Sequence, residues 1–147
     1  MFNSNSFDIA ALAVSDTSIL HLKGPDDELL YSDAEKTQPV TVELYGPGSD
    51  QYAAVEKRIS DRNIERMLKG KKKAQISAES AKADRLEKLI GCTKAFSPNF
   101  RYTPAGDAQG DAFHRAVYSD PRIGFIADQV LAHIGDWANF TPSSATS

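Results

Sequence analysis

The chain has 147 residues, enough for one domain with its own apolar core and short for two. Apolar residues make up 41% and charged residues 25% of it, ordinary values for a water-soluble globular domain. The single cysteine, Cys92, excludes an internal disulfide and therefore a secreted disulfide scaffold. We expect a single domain over residues 1–147, with mobile tails at 1–8 and 141–147.

Signals for membranes and secretion are weak in this sequence. The run Ile9–Val14 is among its longest apolar stretches and falls far below the roughly 20 residues of a membrane span. The first residues have neither the basic flank nor the long apolar stretch of a secretory signal peptide. We therefore expect a cytoplasmic protein that does not bind membranes.

The first third of the sequence predicts a small antiparallel β region. Two short apolar runs, Ser18–Lys23 and Glu28–Tyr31, flank the turn Gly24–Asp27, an arrangement typical of a β-hairpin. After a loop at 37–39, apolar and polar residues alternate over 40–45. This alternation predicts one further strand with a single buried face.

From Asp50 onward, the spacing of apolar residues becomes that of amphipathic helices. Ser49 or Asp50 is predicted to cap the first helix, and Gly70 to end or kink it. A second helix is predicted to have Ser77 as its cap and to end with Gly91 in the left-handed conformation. The apolar residues predicted to face the core are Tyr52, Val55, Ile59, Ile64, Met67, Leu68, Ile76, Ala83, Leu86, Leu89 and Ile90.

The last third is predicted to hold a packed loop and two more helices. Residues 93–110 contain two prolines, two glycines and three aromatics, so we expect a loop lying against the body. Asp111–Ser119 forms a short helix, and Asp120-Pro121 starts the last one, because aspartate caps and proline fits the first turn. The residues of the last helix predicted to face inward are Ile123, Ile126, Ala127, Val130, Ile134 and Trp137.

These elements together predict the α+β fold class. The expected architecture is a small N-terminal antiparallel β region, made of a hairpin plus one strand. Three or four helices follow it and form the main body of the domain.

The segment Gly46-Pro47-Gly48-Ser49-Asp50 joins the predicted strand to the first helix, a place where many proteins bind a phosphate. A dinucleotide-binding fingerprint needs a third glycine where this chain has Gln51, and no P-loop lysine follows. Pro47 also lacks a backbone N–H that could donate to a phosphate. We therefore interpret the segment as a turn that ends a strand and caps a helix.

The histidines and the cysteine form no catalytic or metal-binding pattern. Asp111–His114 and His133–Asp136 are each one turn apart, so each pair could steady a proton relay or be an ordinary helix surface pair. Cys92 is interpreted as a small core residue. We predict a non-enzymatic protein with no cofactor and no metal. No two of the three histidines have the i, i+4 spacing of a helical metal pair: His21, His114 and His133.

The formal charge of −3 is unevenly distributed along the chain. Residues 51–94 hold 12 Lys/Arg and 6 Asp/Glu, whereas the remainder holds 5 and 14. Five basic residues recur every three or four positions, so they form one stripe if the first helix continues through Gly70. This basic stripe consists of Arg58, Arg62, Arg66, Lys69 and Lys73.

Three interpretations of the basic stripe stay open. It can be a solvated helix face, since Glu56, Asp61 and Glu65 interleave with it. It can be a self-association seam that meets acidic residues of a neighbouring copy. It can bind nucleic acid, which the acidic total charge and the lack of interleaved aromatics disfavour. The acidic residues considered for the seam are Asp26, Asp27, Glu28, Asp33 and Glu35.

Two segments resemble the tail assembly chaperones of long-tailed bacteriophages. Val42–Tyr52 is similar to that family's opening, in which the letters YGP precede a helix with basic residues. Asp111–Phe140 is similar to its C-terminal part, with a short helix, a Tyr-x-Asp-Pro turn, a glutamine before apolar residues and a closing Asn-Phe. The resemblance covers residues 40–140, and 96–100 replaces the family's Trp-rich or Gly-rich loop. The matching residues are Tyr118-Ser119-Asp120-Pro121, Gln129-Val130 and Asn139-Phe140.

The resemblance implies a non-enzymatic role in virus assembly. Such chaperones coat the long hydrophobic tape measure protein in the host cytoplasm, recruit tail tube subunits and are absent from the mature virion. Many are made in two forms, of which the longer, frameshifted form adds a domain that engages the tail tube protein. Related chaperones also self-associate, so the resemblance implies a homo-oligomer.

A coating protein needs an apolar contact surface and complementary ends for self-association. Trp137 and Phe140 are the candidates for apolar partner contact, although aromatics at a helix end more commonly seal a core. The basic stripe is the candidate for self-association. Two other functions stay open: a virion structural protein, such as a small tail or head–tail subunit, and a small nucleic-acid-binding protein.

Overall fold

A computed structural model of the chain describes residues 6–70 and 73–142, except for the side chains of 73–78. The outer parts of the predicted tails, 1–5 and 143–147, therefore lie outside the described residues. Three side chains of the predicted helix pattern lie outside them as well: those of Lys73, Ile76 and Ser77.

Within the described residues, the fold is a three-stranded antiparallel sheet with four α-helices, which confirms the predicted α+β class. None of these helices is long and apolar enough to cross a membrane. The strands, in their spatial order, are β1 (Thr17–His21), β2 (Thr41–Tyr45) and β3 (Thr93–Phe96). The helices are α1 (Asp50–Leu68), α2 (Lys73–Gly91), α3 (Asp111–Tyr118) and α4 (Gly124–Ile134). Short 3-10 turns lie at Ile9–Leu12, Thr103–Ala105, Pro121–Ile123 and Trp137–Phe140.

The central strand is β2, which pairs antiparallel with β1 on one side and with β3 on the other. Its alternation was predicted correctly, since Val42 and Leu44 are fully buried. The prediction of a loop was wrong for β3. Thr93 can be buried in β3 because its hydroxyl has two hydrogen-bond partners. They are the Leu89 carbonyl at 2.7 Å and the Tyr118 hydroxyl at 2.6 Å. Four residues with two polar side chains carry too little alternation to be recognised as a strand.

The turn Gly24–Asp27 is present, but the hairpin predicted around it does not form two sheet strands. The Gly24 N–H donates to the Glu28 carbonyl at 2.9 Å, and the following residues make only isolated bridges in the described structure. After His21 the chain leaves the sheet, and β1 takes β2 as its partner instead. The run Glu28–Tyr31 is therefore an ordered loop beside the sheet.

Local capping signals set the start of α1 and the break after it. The Ser49 hydroxyl accepts the N–H of Tyr52 at 3.2 Å, as predicted for a cap. Gly70 follows α1 with φ +70°, a conformation that glycine adopts without strain. The predicted start of α2 was wrong, because α2 begins at Lys73 and Ser77 lies inside it. A serine is a weak start signal, because it is also tolerated inside a helix.

Gly91 ends α2 as predicted, but its φ is not positive, so the left-handed cap was a wrong prediction. A glycine is required at this position for packing, because a Cβ would overlap the Val55 side chain of α1. The absence of a side chain at Gly91 therefore lets the two long helices approach each other closely.

The core lies between the sheet and the inner faces of α2, α3 and α4. The predicted inner face of α4 is confirmed for four residues. In α1, all of whose residues are described, Val55 is buried and Tyr52 and Ile59 are partly buried, so the predicted inward stripe holds for the first half of the helix and was wrong for the second. The reason is that α1 packs on α2 and has little contact with the rest of the domain. Exposed against prediction are Ile64, Met67, Leu68 and Trp137.

We predict that Gly91→Ala destabilises the fold by about 1–3 kcal/mol, the usual cost of overpacking a tight contact. Gly124→Ala is the matched control, because a Cβ at this helical position would meet nothing within 4 Å. Chemical denaturation of both variants measures the effect. Equal stability of Gly91→Ala and wild type would contradict the packing role of Gly91.

Candidate functional site

In the Gly46–Asp50 turn, Gly46 and Ser49 are buried, and the C-terminal segment packs on Gly46. A Cβ on Gly46 would overlap the Phe140 ring, and a Cβ on Gly48 would lie 2.8 Å from the Val14 side chain. The Gly46 N–H already donates to the Asp16 carbonyl at 2.9 Å. The turn therefore has the architectural role that was expected for it.

The arginines of the basic stripe face α2. The Arg58 Nε lies 3.1 Å from a Glu87 oxygen, and Arg62 also pairs with Glu87. Arg62 and Arg66 lie 3.9 and 3.6 Å from the same oxygen of Asp84. These five residues form an inter-helix ion-pair network. Because its arginines are paired within the chain, their charge is less available to a neighbouring copy.

The remaining lysines of the stripe do not continue this network. Lys69 pairs with Glu65 of its own helix at 2.9 Å, and both side chains are largely exposed. Lys73 belongs to α2, because α1 ends before Gly70 and the stripe is not one continuous helix face. Self-association through the whole stripe stays a prediction, but its arginines already form ion pairs within the chain.

The predicted histidine–aspartate pairs are not proton relays in this structure. His114 is buried against Phe96, and its Nδ1 has no hydrogen-bond partner among the described residues. The Asp136 carboxylate caps the C-terminal turn by accepting the N–H of Ala138 at 3.0 Å. Burial lowers the pKa of both His114 and His133, against smaller opposite effects of Asp111 and Asp136.

One further pairing was missed because its partners are far apart in sequence. The His133 Nε2 lies 2.7 Å from the Ser18 hydroxyl, a distance that also occurs between a nucleophile and its base. Ser18, however, is almost fully buried in β1 and cannot meet a substrate. The pair therefore joins α4 to the sheet. Among the residues the structure describes, no group of three metal-binding side chains occurs.

Trp137 and Phe140 lie on the same turn but have opposite environments. Phe140 is fully buried over Gly46 and beside the His133 ring, with ring centres 5.3 Å apart. It seals the core, so the interpretation of Phe140 as a partner contact was wrong. Trp137 is 57% exposed and is available to a partner.

The N-terminal segment adds exposed apolar side chains that the sequence search did not single out as a contact surface. The Ser15 N–H donates to the Phe140 carbonyl at 2.7 Å, which places the two ends of the chain side by side. Asp8 caps the Ile9–Leu12 turn by accepting the Ala10 N–H at 3.0 Å. We define the terminal apolar surface as the exposed side chains Phe7, Ile9, Leu12 and Trp137. The apolar run Ile9–Val14 was the signal for it.

A groove between α2 and α4 also has an apolar floor, but an ion pair spans it. Its volume is about 570 Å³, and Leu86, Leu89 and Ala127 line it. Arg85 on one wall pairs with Asp128 on the other. A partner would have to displace this ion pair, which makes the terminal apolar surface the better candidate.

We predict that Arg62→Ala lowers the free energy of unfolding by about 1 kcal/mol, because it removes ion pairs that are partly shielded from water. The control is Lys57→Ala, which removes the highly exposed Lys57–Asp61 pair within α1 and should cost clearly less than Arg62→Ala. Urea unfolding compares the two. A larger loss for Lys57→Ala would contradict the role of the network.

We predict that the protein loses stability as the pH falls below about 6.5, since the pKa of His114 is lowered from that value in the fold. The unfolded chain then binds the proton more readily than the folded one. His114→Gln should reduce this pH dependence between pH 7.5 and 5.5, measured by thermal unfolding. Measurements at pH 8 show how much the substitution changes stability through packing alone. An unchanged pH dependence of stability in the variant would contradict the role of His114.

Comparison of the chain with protein-family models, with characterised proteins and with solved structures finds no match. The functional argument therefore depends on the residues and their geometry. The strongest feature of that geometry is a set of exposed apolar side chains on the two segments that the Ser15–Phe140 hydrogen bond joins.

Proposed function

We propose that the chain is a tail assembly chaperone of a long-tailed bacteriophage that binds the tape measure protein. In this proposal it acts in the host cytoplasm, has no enzymatic activity and is absent from the mature virion. It self-associates, and a longer, frameshifted form engages the tail tube protein.

The observation that carries the proposal is the terminal apolar surface. Several large apolar side chains exposed on segments joined to one another commonly mark a protein–protein contact site, and the Ser15–Phe140 hydrogen bond joins the segments that carry these. Trp137 supplies a broad apolar face with little conformational freedom to lose on binding. Ile9 and Leu12 lie on a short 3-10 turn at the surface, with their side chains exposed.

The contacts of the resembling residues give further support. The YGP-like segment contributes Gly46, and the closing Asn-Phe contributes Phe140, whose ring covers it. The amide of Gln129 bonds both the N–H and the carbonyl of Lys23, each at 2.7 Å. Asp120 accepts a hydrogen bond from the Tyr102 hydroxyl at 2.5 Å. These contacts join parts of the fold that are distant in sequence. Residues with such structural roles, and no catalytic role, are what an architecture common to a non-enzymatic family would require.

We predict that co-expression of this chain with the tape measure protein of the same genome keeps that protein soluble. The double variant Leu12→Ser and Trp137→Ser should lower recovery of the complex about tenfold, because it removes apolar anchors from the contact. Leu29→Ser is the control, since it removes an exposed leucine from another surface.

An insoluble tape measure protein and no recovered complex would contradict the proposed function. Equal recovery with the double variant would reject the surface and leave the function standing. Mass spectrometry of purified particles separates the proposal from the alternative of a virion structural protein, because a chaperone should be missing from them.

A further inference from the structure

The segments that carry the terminal apolar surface are joined by side-chain contacts as well as by a hydrogen bond. The turn between β2 and α1 lies between them. The side chains of Val14 and Trp137 lie 2.8 and 3.7 Å from the position that a Cβ on Gly48 of this turn would take. The Phe140 ring covers Gly46 of the same turn. The N-terminal segment, this turn and the C-terminal turn are therefore neighbours in the fold.

These three parts of the chain contain no basic side chain. The stretches 6–22, 37–56 and 123–142, which include them, hold no lysine or arginine, although the whole chain has 17. They do hold aspartates with exposed side chains directly beside the apolar surface or in the turn between its two segments. We call four of these residues the flanking aspartates: Asp8, Asp16, Asp50 and Asp136.

The charge of the flanking aspartates is not neutralised within the chain. Among the residues that the structure describes, none of the four takes part in an ion pair. Asp8 and Asp136 accept the backbone N–H groups of Ala10 and Ala138, each at 3.0 Å. Those bonds cap two short turns and leave the negative charges in place. The terminal apolar surface therefore stands in an acidic surrounding.

We propose that the terminal apolar surface binds a basic amphipathic segment, in which apolar side chains are flanked by lysines or arginines. The apolar side chains would cover those of the surface, and the cations would face the flanking aspartates. Complementary charge speeds the encounter and disfavours wrong partners, because like charges repel. A nucleic acid or an anionic membrane has the wrong charge for this surface. The inference rests on the proposed function and specifies which kind of tape measure segment the chain takes.

The fluorescence of Trp137, the chain's one tryptophan, reports binding at this surface. The probes are two synthetic peptides of about 18 residues, roughly five helical turns, with the same apolar positions and no tryptophan. One peptide has lysines at the flanking positions and the other has glutamates. We expect the lysine peptide to shift the Trp137 emission to shorter wavelength. The glutamate peptide should need about tenfold more peptide for the same shift, because the aspartates repel it.

A charge-neutral variant tests whether the flanking aspartates cause this preference. Asparagine caps a turn as well as aspartate does, so the substitutions should keep the fold, which circular dichroism checks. The preference for the lysine peptide should fall below about threefold in this variant. It should fall similarly for wild type in about 1 M salt, where the Debye length is only about 3 Å. The variant combines Asp8→Asn, Asp16→Asn, Asp50→Asn and Asp136→Asn.

A matched control removes the same number of negative charges from other surfaces. Its four carboxylates are exposed and form no ion pair with any residue that the structure describes. The control should keep the full preference for the lysine peptide, because its charges lie on other segments. It combines Asp26→Asn, Glu28→Gln, Glu35→Gln and Asp107→Asn.

Equal binding of both peptides by wild type, or an unchanged preference in the charge-neutral variant, would overturn the proposed segment. So would the absence of any emission change with the lysine peptide. An emission shift that follows protein concentration alone would show that a second copy covers the surface, and would overturn it too. Co-expression is a separate measurement: if wild type and the charge-neutral variant capture the tape measure protein equally, the function stands and the proposed segment fails. Without any capture the function fails, and the peptides still decide the charge preference.

Discussion

The Phe140 ring lies directly on the backbone of Gly46, and the rest of the structure depends on this contact. It brings the C-terminal turn onto the junction between the sheet and α1, where any side chain larger than hydrogen would collide with the ring. The Phe140 carbonyl in the same turn accepts the N–H of Ser15, so the N-terminal segment is tied to this turn as well. Three distant parts of the chain therefore meet at one glycine, and the terminal apolar surface forms around their meeting point.

Charge has two different roles in this protein. Between α1 and α2, arginines and carboxylates neutralise one another across a close helix contact that Gly91 permits. On the outer surface, the pairs Lys57–Asp61 and Lys69–Glu65 are largely exposed to water. Paired charges of the first kind stabilise one chain. Pairs of the second kind contribute little to stability, because water and salt screen them.

Features controlled by adjacent residues could be predicted from the sequence. The Ser49 cap, the break at Gly70 and the Asp120 cap each depend on a few neighbouring atoms, although Asp120 caps the 3-10 turn Pro121–Ile123 and α4 begins only at Gly124, later than predicted. Features that depend on distant partners could not. The pairing of β3, the opposite environments of Trp137 and Phe140, and the Ser18–His133 hydrogen bond require knowledge of the folded arrangement. Of the terminal apolar surface, the sequence predicted a contact role for Trp137. The N-terminal side chains could not be assigned to the same surface from the sequence, because the hydrogen bond that joins the two segments forms only in the fold.

The strand order has a consequence for how the chain folds as it is synthesised. β2 pairs with β3, but both long helices lie between them in sequence, so the backbone edge of β2 stays unpaired while α1 and α2 emerge. An unpaired strand edge is open to pairing with other chains. The contacts between α1 and α2 are local in sequence, so the helical hairpin can form first and bring β3 to the waiting edge. The final closure comes with the last residues of the described fold, when Phe140 covers Gly46.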